Sequence, residues 1–214
     1  MNPQHILIEL QYLGTIQYYS KLIHYPKVYL EQHENYRKGS FRNRCHISTA
    51  NGVLGLSIPL LKGKNQQMNI QTVQIDNRLA WQVQHWRSIR TAYGNSPFFE
   101  FYEQDLYSLY AKKYDLLFNF CFDLQKLIIQ LLSLSPNIEL TAEFWHNPPD
   151  NILDFRHKIR PSSYQDGLDP HFEAATYPQV FEDRHGFVPN LSILDLLFCA
   201  GPESYNYLLA SFKN

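Results

Sequence analysis

The sequence predicts an α/β fold, a mixed and largely parallel sheet with flanking helices in a single domain, and three observations carry that expectation. Ile6-Leu7-Ile8-Glu9-Leu10 reads as a strand, Ile16, Tyr19, Leu22 and Ile23 have helical spacing, and Val28-Tyr29-Leu30 reads as a second strand. Strand, helix and strand in so short a span form a compact βαβ unit, which favours a parallel pair. Further on, Leu117, Phe120, Cys121, Leu124, Leu127, Ile128 and Leu131 keep the strongest helical period in the chain. Finally, the chain has 214 residues, 44% of them hydrophobic, enough for one sizeable core.

The elements follow in order. Tyr12-Leu13-Gly14 reads as a turn, and Pro26 ends the first helix before Val28 opens the second strand near residues 28–32. Ser40 to Ser48 and Val53 to Leu60 read as two further strands, with Asn51-Gly52 as the hairpin signal. Lys62 to Met68 is a polar loop, and Val73 with Ile75 suggests a short strand. Helices are expected near 80–92, 98–110 and 114–134, with Trp81, His85 and Ile89 on one face of the first and Ser96 capping the second. Ile138 to Phe144 alternates as a strand. From about 145 to 190 the chain is rich in Pro and His and reads as one long irregular segment. Asn190 or Ser192 then caps a helix through Phe198, Gly201-Pro202 breaks it, and a last helix ends the chain.

Composition bounds the function. A net charge of −1 argues against a nucleic-acid partner. Seven basic residues nevertheless fall between Lys21 and Lys62, which leaves room for a local anion site. Cys45, Cys121 and Cys199 are far apart and form no CxxC, so neither zinc nor a disulfide framework is expected, and a reducing cytoplasm fits. No apolar run is long enough to span a membrane, and no secretion signal is visible. No metal is expected and no cofactor motif is evident, since GxGxxG, P-loop, HExxH, GxSxG and His-x-Gly-His are all absent. A nucleotide stays open as a ligand.

Candidate site residues concentrate just after the second strand, where open α/β sheets bind ligands. Glu31, His33, Asn35, Tyr36, Arg42, Asn43 and Arg44 supply donors, acceptors and charge there. Arg42 and Arg44 suit a carboxylate or phosphate, because guanidinium forks bind such groups with two parallel hydrogen bonds; on a strand both would share a face, and both can equally pair with Glu31 or Glu34. His33 beside carboxylates is placed for general-base work, as is His185 in the polar turn Asp183-Arg184-His185-Gly186-Phe187. Asp195 in the apolar run LSILDLLF needs a partner and reads as support for the site or a loop tie. The segment 177–190 is expected to fold over 31–44, so that His33, Arg42, Arg44, Gln179, Arg184 and His185 line one cavity and the helix from Leu191 aims its N-terminus into it.

Long-range motifs resemble one known family. They are Tyr12 to Tyr19 (YLGTIQYY), Glu31 to Arg44 (EQHENYRKGSFRNR), Ala50-Asn51-Gly52, Leu56 to Pro59, His85-Trp86 with Tyr93, Ser96 to Phe99, and Tyr177 to Phe181 running on through Arg184 to Phe198. In order and spacing they resemble the WbqC-like family across nearly the whole chain, with a gap at about 140–175. Many relatives carry Tyr-Leu-Pro-Trp where this chain has Tyr12-Leu13-Gly14, so no role of that Pro or Trp carries over. The resemblance implies an acyl or aminoacyl (glycine) transferase of surface polysaccharide and O-antigen biosynthesis, with a small-molecule donor and a sugar-like acceptor as partners. The βαβ start also looks like the adenylyltransferases, which keeps a nucleotidyltransferase-like, acid-activating enzyme as an alternative beside a non-catalytic glycan- or peptide-binding module. The oligomeric state is not legible.

Overall fold

The computed structural model describes residues 5–61, 68–161 and 169–213. β1 (His5–Glu9) buries Ile6, Leu7 and Ile8 completely, α1 (Ile16–His24) follows, and β2 (Val28–Glu31) returns parallel to β1. The Thr15 hydroxyl accepts the Tyr18 N–H at 3.2 Å, a helix cap of about 1 kcal/mol. Lys21 and His24 sit in the last turn, where cations suit the helix dipole.

The sheet has the order β5-β2-β1-β6 and every pairing in it is parallel. β5 (Ile138–Leu140) lies outside β2, and β6 (Ile152–Asp154) lies outside β1. The chain therefore runs from β1 outward through β2 to β5, then comes back to the other side of β1 for β6. The strand order reverses between β1 and β6, and the crevice beyond the carboxyl ends of such a pair is the usual ligand site of open parallel sheets. The antiparallel component is a separate hairpin of β3 (Arg44–Thr49) and β4 (Gly52–Ser57). Its turn is Ala50-Asn51 rather than Asn51-Gly52: Gly52 pairs with Thr49 and takes φ 100, a conformation that favours glycine.

α2 (Trp81–Tyr93), α3 (Phe99–Tyr110) and α4 (Leu117–Leu131) lie where their periods place them, and Trp81, His85 and Ile89 are all buried. Ser96 does not cap α3; its hydroxyl donates to the Tyr93 carbonyl at 2.6 Å and closes α2 instead. Val73 and Ile75 form no strand of their own: a 3-10 turn at Ile70–Thr72 precedes Val73, and Ile75 makes an isolated bridge to Leu60. The strand expected over 138–144 stops at Leu140, and Thr141 turns inward to the carboxyl edge. The long segment from 145 is interrupted by β6 and by the single turn α5 (Glu182–His185). The polar loop read from Lys62 lies outside the described residues up to residue 67, as does 162–168. α6 (Ile193–Ala200) and α7 (Ser204–Ala210) finish the chain.

One hydrophobic cluster joins β1, β2, α1, the hairpin and all the long helices. Hydroxyls buried in it are satisfied internally: Tyr12 Oη lies 2.8 Å from His85 Nδ1 and 2.7 Å from Tyr110 Oη. Among the described residues no helix is long and apolar enough to cross a membrane.

Candidate functional site

Each strand of the sheet delivers a polar group to the carboxyl edge. β1 ends at Glu9 and β2 at Glu31, which are neighbours in register and bury completely or nearly so. Glu34 follows β2, Thr141 follows β5, and Arg156 and His157 follow β6. Burying carboxylates is unfavourable unless cations and donors meet them. Arg42, 2% exposed, gives Nε and Nη2 to the two Glu34 oxygens at 2.6 and 2.5 Å, while its Nη1 lies 3.8 Å from Glu9. Arg156 donates to Glu31 at 3.0 Å and to both oxygens of Asp154. Glu31 also accepts the Thr141 hydroxyl at 2.9 Å and the His33 N–H at 2.8 Å. Three buried carboxylates thus share two guanidiniums. Burial, only partly offset by Arg42 and reinforced by Glu9 and Glu31, pushes the Glu34 carboxyl up to about 7.

His157 is the hinge of this edge. Its φ is 65, a left-handed backbone uncommon outside glycine, and its N–H is pinned by the Glu9 carboxylate at 2.9 Å. Its Nδ1 lies 2.6 Å from Arg42 Nη2. A guanidinium has no acceptor, so Nδ1 accepts and the ring hydrogen sits on Nε2. Burial first, and then the Arg42 charge, hold this imidazole down at about 3, so it is neutral across physiological pH.

Beside His157 opens a pocket of about 130 Å³ lined by Arg37, Lys38, Ser40, Arg42, His157 and Arg160, with Gly39 and Ile159. Gly39 at φ 75 lets the chain turn back so that Arg37 and Lys38 reach the mouth. The pocket is far smaller than the roughly 300 Å³ or more of a site for a whole small molecule. It has room for one charged group, and the described side chains that line it are chiefly hydrogen-bond donors. Among the described residues no group of His, Cys, Asp and Glu is arranged to hold a metal ion.

A family model, the WbqC-like protein family, matches residues 11–207. The chain belongs to this family. No curated protein and no solved structure matches it significantly. The match begins just after β1 and runs into α7, so the pocket and all of the carboxyl edge except Glu9 lie within the part that this WbqC-like chain shares with its family.

The predicted site residues of the WbqC-like chain divide into separate places. Glu31 and Arg42 join the buried edge; Arg42 precedes β3 instead of lying on it, so it does not share a strand face with Arg44. Arg44, half-buried on β3, donates to Ser57 at 3.1 Å. Tyr36 is a loop tie, its hydroxyl donating to Asn43 at 2.9 Å while Asn43 reaches the Ile58 carbonyl; Asn35 is exposed and bridges to Asn69. His33 stands on the β5 side of β2, its Nε2 3.0 Å from the Thr141 carbonyl. Gln179 donates to Asp195 at 2.8 Å, and Asp195 also accepts the Tyr93 and Tyr177 hydroxyls at 2.8 and 2.7 Å. Burial raises the Asp195 carboxyl above its usual range, and those three donors work against the rise. Arg184 and His185 are exposed, and His185 Nε2 lies 3.2 Å from the carbonyls of Thr49 and Ala50 at the hairpin turn.

The expected cavity uniting 31–44 with 177–190 therefore does not form. The length of β3, roughly 17 Å at about 3.4 Å per residue, separates the Arg44 end of the hairpin from the turn that His185 touches. Nor does α6 aim into a pocket: Leu191 and Ser192 are fully buried, and the Ile193 N–H is taken by the Gly14 carbonyl. Polar segments were satisfied by nearby backbone instead of by one another. What sequence reading missed is Glu9, Asp154, Arg156, His157 and Arg160. Ile152-Leu153-Asp154-Phe155-Arg156-His157 repeats the pattern of β2, a short apolar stretch running into charge, but its apolar part is too short to mark a strand by itself.

Proposed function

We propose that this protein is a transferase that moves an acyl or aminoacyl group, glycine among the candidates, onto an amino-sugar in surface polysaccharide biosynthesis, with an anionic part of its substrate seated in the pocket beside His157. The observation that carries the reading is the place of that pocket: a donor-lined cavity at the carboxyl edge of a parallel sheet where the strand order reverses. Membership in the WbqC-like family supports it by the resemblance its motifs carry.

In the transfer the acceptor nitrogen forms a bond to the acyl carbon, the bond from that carbon to its carrier breaks, and the amine loses a proton. Anchoring the substrate by a charged group remote from the reacting carbon converts the encounter into an oriented one. The proton that the amine loses is balanced by the carrier group that leaves. The order β5-β2-β1-β6 favours a second reading, nucleotide-dependent activation of an acid, because nucleotides bind at this reversal in doubly wound sheets.

The test is product formation. The purified protein is incubated with amino-sugars, free and nucleotide-linked, and with acyl and glycyl donors, and products are read by mass spectrometry. An N-acylated or N-glycylated sugar is expected. An adenylated acid in place of an acylated sugar supports the second reading, and binding without any product supports a non-catalytic module.

A further inference from the structure

We propose that the substrate's anion enters the pocket beside His157 together with a proton, taken up by the Glu34 carboxyl, so that affinity rises as pH falls. The inference rests on the reading of that pocket as the substrate's anion site, and it adds how that site is regulated.

The geometry is that of a shared counter-ion. Behind the pocket three carboxylates are buried, Glu9, Glu31 and Glu34, and the guanidiniums that reach them are those of Arg42 and Arg156. Arg156 is turned to Glu31 and Asp154. Arg42 is left to serve Glu34 and Glu9, and it also lines the pocket. An anion that enters therefore draws on a positive charge already divided between two carboxylates. Glu34 is 2% exposed, so water does not screen the added charge. A further negative charge beside buried carboxylates is unfavourable unless a proton arrives with it.

The titratable and charged groups that face Glu34 are Arg42, Glu9, Glu31 and His157, and their hydrogen bonds say which group takes the proton. Glu31 accepts from Arg156, the Thr141 hydroxyl and the His33 N–H, all of which favour its charged form. Glu9 accepts the His157 N–H at 2.9 Å. Glu34 differs, since the hydrogen bonds its carboxylate receives come from Arg42, the residue it shares with the pocket. His157 Nε2 stands 3.7 Å from Glu34, beyond hydrogen-bond length, and Nδ1 already takes a hydrogen from Arg42, so the imidazole is no acceptor in its place. Burial, opposed by Arg42 and reinforced by Glu9 and Glu31, raises the Glu34 carboxyl to about 7, which brings the exchange close to neutral pH. An anion in the pocket stabilises the protonated form and moves this titration upward. Affinity is then full below about 7 and falls as pH rises through that value.

Sulfate and acetate serve as probes, because neither changes its own protonation between about pH 6 and about pH 8.5. Urea unfolding of the full chain is followed with each anion, against sodium chloride of equal ionic strength, at both pH values, for wild type, Glu34→Gln and Arg37→Ala/Lys38→Ala. Arg37 and Lys38 are exposed, so the double variant keeps the fold, and the site's share of the protection is the part this variant lacks. In wild type that share is expected to correspond to an affinity roughly ten-fold tighter at the lower pH. In Glu34→Gln, whose neutral amide stands for the protonated acid, it is expected to be the same at both. Proton uptake is also read on wild type alone, by mixing protein with the protective anion in weak buffer with an indicator dye near neutral pH, and protons are expected to leave the solution as the anion binds. Protection that is equal at both pH values in wild type, binding without proton uptake, or a pH dependence that persists in Glu34→Gln overturns the inference and leaves the anion site standing. Protection by neither anion, or protection as strong in the double variant as in wild type, overturns both.

Discussion

Replacing Arg42 with Met removes a cation from a place where water cannot take over. The guanidinium holds both oxygens of Glu34 and Nδ1 of His157, and lies 3.8 Å from Glu9. Removing one partner of a buried ion pair costs about 3–5 kcal/mol, because the other charge stays behind unpaired. At roughly 2–4 °C per kcal/mol for a chain of this size, the unfolding midpoint drops by roughly 6–20 °C. The measurement is urea denaturation followed by circular dichroism at pH 8, above the value of about 7 at which Glu34 gains its proton. A double-mutant cycle with Glu34→Gln then isolates the pair. The double variant should recover at least about 2 kcal/mol relative to the sum of the single losses, since it leaves no carboxylate stranded at position 34. The loss from Arg42→Met should also shrink towards pH 5, where Glu34 takes up a proton. An Arg42→Met cost below about 1 kcal/mol, or simple additivity in the cycle, would refute the picture of a strained, charge-dense floor.

The remaining predictions concern groups away from the pocket and groups whose isolation makes them clean tests. His85, held down at about 4 chiefly by burial, is neutral in the native core and must charge on unfolding in acid. Its contribution is full above the unfolded value near 6.5 and is lost as pH falls through about 4, about 3 kcal/mol in all, so His85→Gln should flatten the pH dependence of stability in that window; an unchanged slope would argue against a neutral His85. Asp195→Ala leaves the Tyr93 and Tyr177 hydroxyls without their acceptor and takes one of the Gln179 amide's partners, and should cost about 3–5 kcal/mol in chemical denaturation, with Asp195→Asn costing less. His185→Ala should change stability by no more than about 0.5 kcal/mol, since the side chain is exposed and its ring reaches two turn carbonyls; a larger loss would show that α5 is held by it.

The sheet was legible where apolar runs were long or flanked by a helix. Ile6 to Glu9 and Val28 to Glu31 announced themselves by composition, and α4 by its period. β6 was not legible, because three residues carry no period and Pro148 and Pro149 in front of it read as loop; only pairing with β1 makes Ile152–Asp154 a strand. With β6 hidden, the side of β1 that it covers was hidden too, and so were Arg156, His157 and Arg160. The stretch from Glu31 to Arg44 was rightly singled out as a polar strand end, but the sequence does not say which charges turn inward. Glu34 and Arg42 are buried while Arg37 and Lys38 are exposed, a sorting decided by Arg156 and His157 at the end of β6, more than a hundred residues away in the chain. The pairing of segments 177–190 and 31–44 failed for a related reason. Gln179 met Asp195 and His185 met the hairpin turn, partners that lie closer along the fold than the one proposed from polarity alone.

The central claim is that the ligand site lies where the strand order reverses, and a crystal structure with a substrate found by the product-formation assay tests it most directly. The ligand's anionic group is expected in the pocket beside His157, against Arg37 and Lys38. A ligand found instead against Arg184 and His185 at the turn of the β3–β4 hairpin would contradict it.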